Sequence, residues 1–174
     1  MVAEIAPFSP VYVARIAQLT NKTNQFNLTT RRCTVPEIEA VLADPDALGL
    51  YGRLRDRFGD NGLVCVVLGR REGDMLDIEL LLMSCRVLKR EMEFAMLDAV
   101  VAHARQMAVE KLRGRYIPSS RNQMVRGLYS ALGFTLVSES QDGSATYILA
   151  LADHTPRTRH IRVVESAAVV PPRR

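Results

Sequence analysis

Tryptophan is absent from this sequence, and aromatic residues fill only 6% of its 174 positions. Histidine and cysteine occur three times each, at His103, His154 and His160 and at Cys33, Cys65 and Cys85, with no CxxC pair. That scatter excludes a zinc site of ordinary ligand spacing, and an odd, unpaired cysteine set excludes a disulfide framework. No run approaches the ~18–20 continuous apolar residues that cross a bilayer. Residues 1–10 carry Glu4 and no Lys or Arg, so a secretory signal, which needs a basic start, is not expected. Charge of one sign is scarce as well: the net charge is +4, and three of those four charges fall in residues 151–174. Basic residues are not interleaved with aromatics, and no helix-turn-helix or RNA-binding signature appears, so no nucleic-acid partner is expected. These absences leave a cytoplasmic protein with no membrane, nucleic-acid or metal partner.

What is present is an apolar fraction of 48%, enough for a chain of this length to bury a real core and too much for a disordered one. Residues 10–20 have helical spacing at Val13, Ile16 and Ala17, with Pro10 tolerated in the first turn. Residues 21–32 are polar and read as a long loop. Thr34 followed by Glu37 forms the pattern of a capping box and opens a second helix, which stops near Asp44-Pro45. Strands are expected over 47–57, 63–69 and 75–84, joined by hairpin turns at Phe58–Gly62, with its Asn61-Gly62 pair, and at Arg70–Asp74. The period then changes. From Val87 to Val109 the apolar residues follow a helical stripe. A strand at 111–117 stops at Pro118, and Ser119 or Ser120 caps a helix through Met124, Leu128 and Leu132 that Gly133 ends. Two strands follow, at 134–138 and 144–151. Residues 152–174 read as a basic, disordered tail, which leaves 1–151 as the folded domain. The class is α/β (α+β): a mixed sheet of about six strands and about four helices. A first strand is hard to find; Ala3–Phe8 is the one candidate.

The stretch RNQMVRGLYSALGF, with Asn122, Tyr129 and Gly133-Phe134, resembles the second signature of the GNAT acyltransferase fold. The runs RIAQLTNKTNQFNLTTRR, RLRDRFGDNGLV, LLMSCRVLKRE and YIPSSRNQMVRGLYSALGF are similar to the C-terminal GNAT-like domain of FkbH-like proteins, from about Arg15 to Asp153. The resemblance implies an acyltransferase that handles a thioester-linked acyl group, glyceryl among the candidates, with an acidic acyl carrier protein in polyketide biosynthesis. It implies CoA or carrier-protein phosphopantetheine as cofactor and no metal. The Asp-x-Asp-x-Thr motif of the haloacid-dehalogenase half of such proteins does not occur here. Phosphatase chemistry is therefore not expected of this chain, and a separate dehalogenase-type partner is implied. A non-catalytic domain that docks carrier protein or that partner is the other reading.

Several residues carry these expectations. In the GNAT pattern Arg/Gln-x-x-Gly-x-Gly, backbone N–H groups at a helix start cradle a pyrophosphate. The corresponding stretch is Arg86-Val87-Leu88-Lys89-Arg90-Glu91, with Lys89 and Glu91 at the glycine positions. Arg86, Lys89 and Arg90 remain as side chains able to attract an anion, and Asn122 either bonds the pantetheine arm or caps its helix. Cys85 ends the third strand just before this turn, where the resemblance places the acyl thioester. It is read either as a nucleophile that takes the acyl group or as a small core residue. Tyr129 is either a general acid for a leaving thiolate or a core aromatic. The loop residues Asn24, Gln25 and Asn27 either recognise a polar acyl group or satisfy their own turns. Arg53, Arg55 and Arg57 recur every second residue on a strand, as a docking stripe or a solvated face.

Overall fold

The structure is a computed structural model that describes residues 1–165, without the side chain of Glu165. One mixed sheet of eight strands runs through it in the order β6-β7-β5-β4-β3-β2-β1-β8. β1 (Val2–Pro7) is the weak N-terminal candidate, and it pairs antiparallel with β2 (Ala47–Asp56), Val2 opposite Arg55. β2, β3 (Gly59–Glu72) and β4 (Met75–Met83) form an antiparallel meander. β4 and β5 (Lys111–Tyr116) are parallel. β6 (Thr135–Glu139) and β7 (Ala145–Ala150) close one edge as an antiparallel pair. The sheet has eight strands rather than about six.

Helices α1 (Val13–Lys22) and α2 (Val35–Ala43) cover one face, and α3 (Met92–Gln106) and the short α4 (Leu128–Ala131) the other. The middle of β3, residues 63–69, is buried from both sides because this run carries no polar side chain: Val66 and Leu68 pack with α1 and α2, Val67 with α3. α2 starts where its sequence says. The Thr34 side chain accepts the Glu37 N–H, and the Glu37 carboxylate accepts the Thr34 N–H at 2.7 Å, which satisfies two otherwise orphaned donors.

Four further expectations differ from the structure. The first hairpin turns at Arg57-Phe58, because Asp56 Oδ1 takes the Phe58 N–H at 2.7 Å; Asn61-Gly62 lies inside β3, in the stretch where its register with β2 slips. The long helix begins at Met92 instead of Val87, since residues 85–87 form a 3-10 turn and Lys89 and Glu91 have φ of 61° and 63°. The helix expected from Ser119 is a 3-10 turn (Gln123–Val125) and then α4, because Asn122 ties the start of the segment into a turn of its own. Residues 152–165 are not a free tail. Asp98 of α3 accepts His154 Nε2 at 2.8 Å and the N–H groups of Arg157 and Thr158, His160 meets Glu91 at 2.7 Å, and β8 (Arg162–Glu165) lies parallel beside β1. The remainder of the expected tail, 166–174, falls outside the described residues.

β4 and β5 pair only over Met75–Ile78 and Lys111–Gly114, and further along they part. Residues 26–28 of the polar loop enter the gap. The Met83 N–H donates to the Phe26 carbonyl (3.0 Å), the Leu28 N–H to Leu81 (3.1 Å) and the Ile117 N–H to Leu28 (2.8 Å). This contact decides what lies at the end of β4.

Candidate functional site

A cavity of about 390 Å³ opens where β4 ends. Its walls are one face of α1 (Arg15, Leu19 and Lys22), loop residues 23–26, the turn after β4 and Arg121. Leu19, Phe26 and Met83 give it an apolar floor, while Asn24, Gln25, Cys85 and Arg86 line it with polar atoms. Four of the expected residues meet here: Asn24 and Gln25 come from one segment and Cys85 and Arg86 from another, yet they line one concavity.

The turn carrying Cys85 is held by Ser84, whose N–H bonds the Val64 carbonyl (2.7 Å) and whose Oγ accepts from the Arg86 N–H and Nε. The Cys85 side chain is exposed, unlike Cys33 and Cys65. Burial pushes the thiols of Cys33 and Cys65 up, so both stay protonated in the neutral range.

The other expected residues distribute differently. Asn27 is buried, and its Oδ1 accepts the Thr30 N–H at 3.0 Å, so it shapes the loop from within rather than lining the cavity. Asn122 is fully buried. Its Nδ2 donates to the carbonyls of Asn27 and Ile117, each at 2.9 Å, and its Oδ1 accepts the Ser119 N–H at 2.8 Å. Arg90 is tied to Asp56 through Nη1, and a backbone N–H bond from Phe58 together with Arg90 holds that carboxyl below its ordinary 3.8. Lys89 is exposed and makes no ion pair among the described residues, although it does not line the cavity. Tyr129 is 1% exposed and stands on the α3 face of the sheet, away from the cavity. Its ring packs on Phe134 and Tyr147, and its hydroxyl has no hydrogen-bond partner among the described residues. Of the arginine stripe, Arg53 and Arg55 share Asp60, at 2.8 and 3.7 Å, and Arg57 stacks over Phe58.

Sequence reasoning missed Arg15, Lys22 and Arg121. A spacing of seven puts Arg15 and Lys22 on one face of α1 two turns apart, and that was the available signal. Arg121 had none, since its place depends on the fold of the segment after β5.

The β4–α3 turn bears on an anionic cofactor in two ways. Positive φ at both Lys89 and Glu91 keeps the backbone shape that glycines would favour. The Glu91 carboxylate, however, sits at the helix start and is engaged by His160. Among the described residues, no group of three or more His, Cys, Asp or Glu is placed to hold a metal, and no helix is long and apolar enough to cross a membrane.

Neither a protein-family model nor a curated protein matches the sequence. Solved structures do. The ribosomal-protein-S18-alanine N-acetyltransferase from Escherichia coli superposes with a TM-score of 0.64 at 10% identity, over 91% of this chain and 99% of that one. An acetyltransferase of the GNAT family from Streptococcus pneumoniae gives 0.65 at 14% identity, over 85% and 98%. yncA of Salmonella typhimurium, a putative acetyltransferase described with its cofactor acetyl-CoA, gives 0.63 at 14% identity, over 91% and 100%. At these identities the likeness is one of fold, and the chain has the GNAT acetyltransferase fold, a mixed α/β structure with four α-helices and an eight-stranded sheet among the described residues.

Proposed function

We propose that this chain is an acyltransferase-type domain of the FkbH-like kind. It moves a thioester-linked acyl group, glyceryl being the unit the resemblance implies, to an acyl carrier protein in polyketide biosynthesis. The observation that carries the reading is the exposed Cys85 thiol on the same cavity as the hydrogen-bonding side chains of Asn24 and Gln25. In such a site Cys85 Sγ attacks the acyl carbonyl carbon, a new thioester forms, and the departing thiol keeps the proton that Cys85 gives up. Transfer to the carrier thiol reverses the same exchange. The loop orients the acyl group through its hydroxyls while the cavity floor takes its carbon face.

CoA or the phosphopantetheine arm of a carrier protein supplies the activated thioester when bound. Arg86 and Lys89 are the residues of the β4–α3 turn that would hold its phosphates, because Arg90 is committed to Asp56. Asn122 supports the loop from below. The near-neutral body leaves an acidic carrier protein with local basic groups to meet rather than a broad basic face. A dehalogenase-type partner is proposed as the source of the acyl group.

A second reading, a docking domain without chemistry, is favoured by the Glu91 carboxylate at the helix start and by the enclosure of Tyr129. One experiment separates the two. The full chain is incubated with acyl-CoA or acylated carrier protein and its intact mass is followed. An acyl adduct that is lost in Cys85→Ala and released by hydroxylamine supports transfer. Thermal stabilisation by holo carrier protein with no adduct and none by CoA supports docking.

A further inference from the structure

The cavity at the end of β4 gathers four cations and no carboxylate: Arg15 and Lys22 of α1, Arg86 of the turn after β4, and Arg121 beyond β5. Elsewhere the arginines divide: Arg32, Arg57, Arg71 and Arg105 reach no acidic side chain among the described residues, whereas others are neutralised. Arg31, Arg53, Arg70, Arg90 and Arg113 each reach an acidic side chain. Among the described residues none of the four cavity cations does so. The Arg15 guanidinium donates to Gln18, and Arg86 Nε donates to Ser84 Oγ at 3.3 Å, both neutral acceptors. Like charges converging on one concavity repel, and a nearly neutral body gives no reason to collect them there.

We propose that this cavity is a binding site for a small polyanion of phosphate type, with Arg15, Lys22, Arg86 and Arg121 as its cationic ligands. Three features select that class. Four cations from three separate segments bring more positive charge than one carboxylate neutralises, whereas a phosphate or diphosphate carries more negative charge on more oxygens. A tetrahedral phosphate or a diphosphate takes donors from several directions, and both arginine forks and the lysine point charge suit it. The volume, about 390 Å³, lies at the low end for ligand sites, which run from about 300 to 1,000 Å³, and so fits a diphosphate-sized group with a short stem over Leu19, Phe26 and Met83. The site stands on side chains alone, so it does not need the β4–α3 turn to present its backbone.

The inference concerns the same cavity as the proposed acyl transfer, but its test does not depend on that reaction. Binding of inorganic phosphate and of pyrophosphate to the full chain is measured by calorimetry and thermal shift at low and at physiological salt, with succinate as a planar dianion for comparison. The expected result is saturable binding of pyrophosphate, at least 10-fold tighter than succinate and weakened by salt. In Arg15→Gln/Arg121→Gln, two exposed or half-exposed positions outside the sheet, affinity should fall at least 10-fold while the circular dichroism spectrum stays unchanged. No saturable binding, equal affinity for succinate, or affinity unchanged in the double variant overturns the proposal. CoA tested beside free pyrophosphate distinguishes a phosphate carried on a long organic arm from a free one: equal affinities assign the site to the phosphate group, and a tighter CoA adds contacts along its arm. Pyrophosphate binding with no acyl adduct on Cys85 keeps this inference and sinks acyl transfer. An adduct formed in a chain that binds no polyanion does the reverse.

Discussion

The side-chain amide of Asn122 donates to the carbonyl of Asn27, 95 residues earlier in the chain, at 2.9 Å. The same amide nitrogen holds the Ile117 carbonyl at 2.9 Å. One buried side chain therefore joins the loop that floors the cavity to the end of β5, at the place where β4 and β5 separate. Asn122→Ala orphans two buried carbonyls and the Ser119 N–H, each worth about 1–3 kcal/mol when left unpaired, with water entry recovering part of it. The expected loss is about 2–4 kcal/mol by urea denaturation, with faster hydrogen exchange at Leu28 and Met83 than at strands distant from the gap. Asn122→Asp should be at least as damaging, because a carboxylate offers no donor to either carbonyl. A loss below about 0.5 kcal/mol, the range of ordinary surface changes, would show that the loop holds itself.

Acid should weaken the fold through a defined set of groups. Glu37, Asp44, Asp56, Asp60 and Asp142 all lie below their ordinary values of 4.5 and 3.8, in each case first through a backbone N–H bond at a cap or turn. A depressed carboxyl binds fewer protons folded than unfolded. Its contribution is thus fully present above the ordinary value and is lost as pH falls through the lower, folded one. Stability should be flat from neutral pH down to about 5 and fall below about 4.5. Asp56→Asn should flatten that acid limb in urea titrations; an unchanged limb would assign it to other groups.

These two cases mark how much the sequence disclosed. The Thr34–Glu37 box was legible because both halves of the interaction lie within one turn. The apolar run of β3 and the stripe of α3 were legible because burial imposes a period on them. β8 was not, for its four residues are a strand only by lying beside β1. Phe26–Leu28 reads as polar loop, and its strand-like pairing exists because β4 and β5 part. The site was half legible for the same reason. Cys85 and Arg86 are neighbours in sequence, whereas Arg15, Lys22 and Arg121 meet them only through tertiary folding.

The β4–α3 turn gives a prediction of opposite sign. Lys89 has φ of 61°, is exposed, and makes no ion pair or hydrogen bond among the described residues. A side chain in the left-handed region costs about 1–2 kcal/mol relative to glycine, part of which glycine gives back in unfolded-state entropy. Lys89→Gly should raise stability by about 0.5–1 kcal/mol, read from the urea midpoint. Glu91→Gly relieves the same strain at φ 63° but removes the contact to His160, so its gain should be smaller. A destabilised Lys89→Gly would mean that the lysine is held by a contact the backbone geometry does not reveal.

Tyr129 separates stability from chemistry most directly. Its hydroxyl is buried without a partner among the described residues, and Glu93 Oε2, likewise unpartnered among them, lines the same small apolar cavity beneath α3. Burial pushes the Tyr129 hydroxyl up, so it keeps its proton throughout the neutral range. An unpaired buried hydroxyl costs about 1–3 kcal/mol, whereas a phenylalanine ring keeps the packing on Phe134 and Tyr147. Tyr129→Phe should therefore leave stability unchanged or raise it by about 1 kcal/mol. Gly114→Ala tests the packing itself: a Cβ there would lie 2.5 Å from the Tyr129 ring, and overpacking of that kind costs about 1–3 kcal/mol. The pair decides the role of the hydroxyl. If Tyr129→Phe is as stable as the parent and the Cys85 adduct forms at an unchanged rate, the ring is core. If the rate falls at least 10-fold in that stable variant, the hydroxyl acts on the cavity indirectly, through the sheet, and its stability cost is the local sacrifice that functional sites make against the surrounding fold.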